Sequence, residues 1–217
     1  IPLRLVGSEM CIRDSNIIER RVGVVYAGRM TYRNIKNHYV LIGFNELSIN
    51  MIRELYDECP SARILLMSGM ESATVRHRIQ SALPVEVERQ VLVYFGNIES
   101  IEELQRLNIE SAIEVYVLGD EERYGRDAKN IAIVHLVSTL RGKCYDGKMM
   151  PVYVQFDSIP SYSNIQKMNL PPEVFCIEGK PNIFFRPFNL HENLARQLWS
   201  LYGACLLYTS PSPRDVE

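Results

Sequence analysis

The residues with the most scope for chemistry are Gly43-Phe44-Asn45-Glu46-Leu47-Ser48. They close an apolar run, His38–Ile42, and open a segment with apolar residues at Leu47, Ile49, Met51, Ile52 and Leu55. A buried strand that turns tightly into an amphipathic helix has this pattern. Such a turn aims backbone N–H groups and a helix N-terminus at an anion, often the phosphate of a dinucleotide. The matching glycine pattern, GxGxxG, is only partly kept. Gly43 retains the tight turn. Asn45 replaces the glycine that lets backbone approach a pyrophosphate, and Ser48 replaces the one that lets helix and strand pack closely. Glu46 adds a negative charge that suits the helix dipole but repels a phosphate.

Three further apolar runs end in small or polar pairs, at Ser68-Gly69, Gly96-Asn97 and Gly119-Asp120. In a parallel sheet these pairs share one edge with Gly43–Ser48, and ligands sit at that edge where strand order reverses. The second strand of a dinucleotide site commonly ends in an acid that binds the ribose. Here it ends Met67-Ser68-Gly69, and the nearest acid is Glu71. The candidate binding residues are therefore Gly43 to Ser48, Ser68, Gly69, Gly96, Asn97, Gly119 and Asp120. The ligand stays open: NAD or another adenine nucleotide is weakened by the lost glycines and the missing acid. Asp120-Glu121-Glu122 reads as a solvated loop.

No catalytic or metal-binding constellation is visible. His38, His77, His135 and His191 lie on separate elements, and none belongs to an HExxH pair. His135, on an apolar helix, reads as a core or interface residue. There is no GxSxG elbow and no GxxxxGK[ST] phosphate loop. No residue spacing here marks a catalytic centre.

The elements that must position this edge alternate regularly. Strands are expected over 62–68, 90–95, 112–118, 151–156 and 182–187, with helices over 71–83, 101–107, 127–140 and 190–201. A weak helix over 158–169 is expected to be broken by Pro160. Strands alternating with helices predict an α/β fold, a Rossmann-like doubly wound parallel sheet of about six strands with helices on both faces.

The two ends read differently. Arg4–Ser15 and Cys205–Asp215 back-translate into strings that are reverse complements over nearly their whole length. They match a transposase adapter used in shotgun sequencing, so residues 1–15 and 205–217 are expected to be adapter-derived and are set aside. The whole chain has 217 residues and a net charge of −2. The ends carry three Arg and four acids, so without them the charge is −1, which implies no field for nucleic acid. Cys59, Cys144 and Cys176 remain, widely spaced and odd in number, as in a reducing compartment. No run of about 18 apolar residues is present to span a membrane. Between Asn16 and Asn37, Arg20, Arg21, Arg29, Arg33 and Lys36 face one acid, Glu19. A basic segment of this kind follows a transmembrane helix under the positive-inside rule. Residues 16–37 are expected to be a linker from a missing transmembrane region.

With these motifs in order, the chain resembles the RCK (regulator of K⁺ conductance) or TrkA-N family. Asn37–Gly43 is similar to the family's opening, and Tyr94-Phe95-Gly96-Asn97-Ile98 to its second turn. Leu107–Ala112 and Asp127-Ala128-Lys129-Asn130-Ile131 are similar to its next two signatures. The departures at Asn45, Ser48 and Asn97 resemble diverged CASTOR/POLLUX-type ion channels more than a standard NAD-binding lobe. The resemblance implies that 38–204 is a Rossmann domain of the RCK N-lobe type. It implies a non-enzymatic cytosolic gating domain of a potassium or other cation channel or transporter, sensing a nucleotide or ion, at the cytoplasmic face of the cell membrane. It also implies pairing with copies of itself and coupling to a membrane pore. The alternatives are a fragment of an NAD(P)-dependent oxidoreductase and a ligand-free scaffold.

Overall fold

A computed structural model describes residues 28–32, 34–121, 124–142, 148–168, 176–177 and 180–197. The expected adapter ends, most of the basic lead-in including Arg20, Arg21 and Arg33, and Cys144 and Glu122 lie outside the described residues.

The elements run β1 (His38–Ile42), α1 (Ser48–Glu58), β2 (Ile64–Ser68), α2 (Ser72–Ala82), α3 (Val85–Glu88), β3 (Val91–Phe95) and α4 (Ile101–Gln105). A 3₁₀ turn, Ile109–Ser111, then leads into β4 (Ala112–Val117), α5 (Arg126–Gly142), β5 (Met150–Gln155) and α6 (Ile159–Lys167). A small antiparallel pair, β6 (Cys176–Ile177) and β7 (Lys180–Pro181), precedes β8 (Ile183–Phe188) and a helix α7 over 190–197. The main sheet has six strands in the order β3-β2-β1-β4-β5-β8, all parallel. The expected α/β doubly wound sheet is therefore the fold.

Strand β1 is buried at all five positions, as is β2. Burial on both faces is why these strands read as continuous apolar runs and not as alternating ones. Successive residues still serve opposite faces. Val40, Ile42, Leu65 and Met67 pack with Leu104 of α4 and Ile133, Val134 and Val137 of α5. Tyr39, Leu41, Ile64 and Leu66 pack with Ile52 and Leu55 of α1 and Val75 and Ile79 of α2. Two cores sandwich the sheet, and the reversal of strand order falls between β1 and β4.

Three details differ from expectation. Pro160 does not break α6. It sits in the first turn, where its missing N–H has no helical partner to lose, and Ser158 caps the helix by accepting from the Ser161 N–H at 3.3 Å. The four-residue α3 was not anticipated because it is shorter than one hydrophobic period, and the two-residue strands β6 and β7 escape notice for the same reason. His135, expected in the core or at an interface, is exposed and not in the core, because its position on α5 faces away from Val134 and Val137; the interface half of that reading stands untouched.

Candidate functional site

Register brings the edge together. Ile42 pairs with Val117, and the Ile42 carbonyl accepts from both Leu118 N–H (2.9 Å) and Gly119 N–H (3.1 Å). The two strands therefore deliver Gly43 against Gly119. Both have positive φ, 95° and 74°, and a Cβ on Gly43 would lie 2.2 Å from the Gly119 carbonyl carbon. Glycine at 43 is required by conformation and by this close approach.

Asn45 is buried, and its amide turns inward, away from the mouth of the turn. Nδ2 donates to the carbonyls of Leu118 (3.1 Å) and Gly119 (3.3 Å) and to Gln155 Oε1 (3.0 Å). Oδ1 accepts from Leu47 N–H at 2.9 Å. The carbonyls can only accept, which fixes the amide's orientation. Ser48 answers from the helix side, its Oγ accepting from Asn45 N–H at 2.9 Å. The two residues that replace glycines thus brace the turn. Glu46 is exposed, and Leu47 is half-buried at the helix cap.

Asp120 is not in a solvated loop, contrary to expectation. Its Oδ1 accepts from Phe44 N–H (3.0 Å) and Ser68 Oγ (2.6 Å), and its Oδ2 accepts from Gly69 N–H (3.0 Å). Ser68 Oγ in turn accepts from Met70 N–H at 3.0 Å. An acid from the end of β4 thus stands beside the end of β2, with its carboxylate taken up by the protein's own donors. Alongside, Glu121 pairs with Arg78, whose guanidinium lies 5.9 Å from the centre of the Phe44 ring.

Beyond Asn45 the network continues through Gln155, Arg126 and Asp157, which the sequence did not single out, and through Asp127 and Asn130 of the family-like signature. Gln155 Nε2 donates to Asp157 Oδ1 (2.9 Å), and buried Arg126 pairs with Asp157 Oδ2 (2.7 Å). Asn130 Nδ2 donates to the Gln155 carbonyl at 2.9 Å. Asp127 accepts from Asp157 N–H and Ser158 N–H at 2.8 and 3.2 Å. The available signal was a polar residue, Gln155, ending an otherwise apolar strand at the same edge.

Gly96 and Asn97 are not drawn into this network. With Gly69 they line a separate open cleft of about 740 Å³, together with Arg29, Phe95, Ser100, Glu103 and Arg106. Arg29 lies 5.6 Å from the centre of the Phe95 ring. Tyr94 donates to Glu103 and accepts from Arg106 at 3.2 Å. Burial, followed by the Glu103 hydrogen bond, raises the Tyr94 pKa. The cleft has guanidinium groups, backbone, an aromatic face, the Ser100 hydroxyl and the Glu103 carboxylate.

No family model matches the chain, and no curated protein sequence matches it. Solved structures do. The GsuK structure bound to ADP superimposes with a TM-score of 0.52 at 15% identity, covering 85% of this chain and 39% of that one. The GsuK channel bound to NAD has a TM-score of 0.49 at 13% identity, covering 70% and 24%. The TrkA-N domain of inner membrane protein YbaL from Escherichia coli has a TM-score of 0.49 at 15% identity, covering 77% and 98%. The chain thus shares the fold of the matched part of the ADP-bound GsuK chain, and it spans about two fifths of that chain's length.

Proposed function

We propose that this chain is a non-enzymatic regulatory domain of a potassium or other cation channel or transporter, joined to its pore through the basic lead-in ahead of Asn37. The observation that carries the reading is the composition of the sheet's ligand edge. It offers anion donors and a cleft with arginines, but among the described residues no acid–base or nucleophile arrangement accompanies them. Such an edge is suited to binding an anionic ligand and passing its occupancy to the sheet. The RCK/TrkA-N-like fold supports the same reading, and ADP, bound by GsuK, is the first ligand to try. No helix among the described residues is long and apolar enough to cross a membrane, so the pore would be encoded elsewhere.

The decisive experiment is recovery of the full reading frame from the source DNA, followed by ion flux through the whole protein in vesicles. The expected result is transmembrane segments ahead of residue 16 and a flux that changes when nucleotide is added to the cytoplasmic side. A frame without membrane spans overturns the proposal.

A further inference from the structure

Asp120 is held as a bound ligand would be held. Three donors converge on one carboxylate: Phe44 N–H after β1, and Ser68 Oγ–H and Gly69 N–H at the end of β2. None of the three belongs to the strand that carries Asp120, and the acid reaches them from a loop opened by Gly119 at a φ of 74°. Gly69 is exposed and lines the 740 Å³ cleft, so the set of donors, Ser68 Oγ–H buried among them, adjoins that cleft at one residue. Arg29, Arg106 and Glu103 line the same cleft, Arg106 lying 3.7 Å from the Glu103 carboxylate, so the approach carries one net positive charge, with Arg29 as the arginine not paired to Glu103.

We propose that Phe44 N–H, Ser68 Oγ–H and Gly69 N–H form an anion seat occupied in cis by Asp120, for which a phosphate-bearing ligand must compete. Carboxylate and phosphate oxygens accept the same charge-assisted hydrogen bonds, so one can replace the other without rebuilding the site. A group tethered by a short loop acts at an effective concentration of millimolar or more. Free phosphate alone therefore does not displace Asp120. A ligand that also fills the arginine cleft can, and on doing so it frees the 119–121 loop and breaks the contact from the end of β4 to the end of β2. The seat then turns occupancy into a rearrangement at the strand-order switch. This deepens the regulatory reading and rests on it, but the seat can be tested without any pore.

The test uses the full 217-residue chain and its Asp120→Ala and Asp120→Asn variants, with inorganic phosphate and ADP as probes, read by thermal shift and calorimetry at matched ionic strength. Wild type is expected to show no saturable response to phosphate. Asp120→Ala is expected to bind phosphate at least tenfold more tightly than wild type, with a saturable rise in Tm. Adding Ser68→Ala to that variant is expected to lose most of the gain, because it removes a donor. If Asp120→Ala does not fold, Asp120→Asn carries the same readout, since its amide oxygen can keep one donor while its NH₂ faces the others. Phosphate affinity within threefold of wild type in every folded variant overturns the proposal. So does a gain that survives Ser68→Ala in full. A failed flux experiment with a positive phosphate result would remove the channel reading and leave the seat standing.

Discussion

Where β1 meets β4, the turn's polar groups are directed at the protein itself; where β2 meets β3, the same sheet edge opens onto a cleft of about 740 Å³. The first half is closed by Asn45, Asp120 and Gln155 around a glycine pair too close for any side chain. The second half keeps Gly96 and Asn97 at the surface beside two arginines. A fold can keep its ligand edge while turning half of it inward, and the two halves meet at Gly69, which Asp120 holds from one side and the cleft borders on the other.

Glycine substitutions give the largest contrast. Gly43→Ala places a Cβ against the backbone of Gly119 at 2.2 Å in a left-handed conformation, and neither strand can give way. A loss on the order of 3–5 kcal/mol is expected from overpacking and strain together. At Gly96 the Cβ meets side-chain atoms, Tyr94 Cε1 at 2.7 Å and Glu103 Oε2 at 2.8 Å, and φ is not positive. There Glu103 can swing aside but the buried Tyr94 ring can only shift slightly, so a loss of about 1–3 kcal/mol is expected from overpacking without backbone strain. Urea midpoints of the two variants measure the difference. Equal losses would erase the distinction between the halves.

Asn45→Ala comes next. It removes donors from two strand-end carbonyls and from Gln155, and leaves Leu47 N–H without its acceptor. Stranding buried polar groups costs about 1–3 kcal/mol, so a loss of about 2–3 kcal/mol is expected from urea unfolding. A neutral result would mean that the turn does not depend on its side-chain brace.

The architecture was readable because buried parallel strands and amphipathic helices leave strong periodic signals, and the glycines ending β1, β3 and β4 marked the edge. What those glycines and their neighbours do was much less readable. Asn45 and Ser48 look like damage to a phosphate turn when counted against GxGxxG. Only the pairing of β1 with β4 reveals that Asn45 reaches Leu118, Gly119 and Gln155, residues at least 73 positions away in the chain. Asp120 looked solvated because an acidic run after a strand usually is. Its partners come from the ends of two other strands, and no local pattern encodes them. Arg126 and Asp157 likewise meet through the packing of α5 against β5.

A pH experiment separates this edge from the opposite end of β1. His38 is buried there, with Nε2 against the Leu107 carbonyl at 3.0 Å and Nδ1 without a partner. The carbonyl accepts, so the proton sits on Nε2, and a second proton on Nδ1 would meet no acceptor. Burial lowers the His38 pKa, the Leu107 contact opposing it only in part. The unfolded chain therefore binds the proton more readily than the fold does. Stability is present in full above the unfolded value near 6.5 and falls as pH drops from there towards the lower folded value. The slope cannot exceed about 1.4 kcal/mol per pH unit for one group. His38→Gln keeps a donor for Leu107 and is expected to flatten the profile between pH 7 and 5. An unchanged slope would assign the acid sensitivity to other groups, the ligand edge among them.

The smallest expected effect concerns how the closed half is covered. Arg78 pairs with Glu121 and lies over Phe44, and both side chains of the pair are nearly half exposed. Exposed ion pairs contribute about 0–1 kcal/mol, and an exposed cation–π contact adds about 0.5 kcal/mol at most sites. Arg78→Ala is therefore expected to lose less than about 1 kcal/mol in low salt. The electrostatic part should shrink further at an ionic strength of about 1 M, where the screening length falls to about 3 Å. The loop is held from within, by Asp120 on Phe44, Ser68 and Gly69, so removing its outer clasp should leave Asp120 in place. Chemical shifts of the Phe44 and Gly69 amides report this directly and are expected to stay near wild type in Arg78→Ala while moving in Asp120→Asn. A loss above about 2 kcal/mol, or amide shifts as large as those of Asp120→Asn, would place the anchor outside the sheet edge, and closure of the β1–β4 half would then depend on its surface.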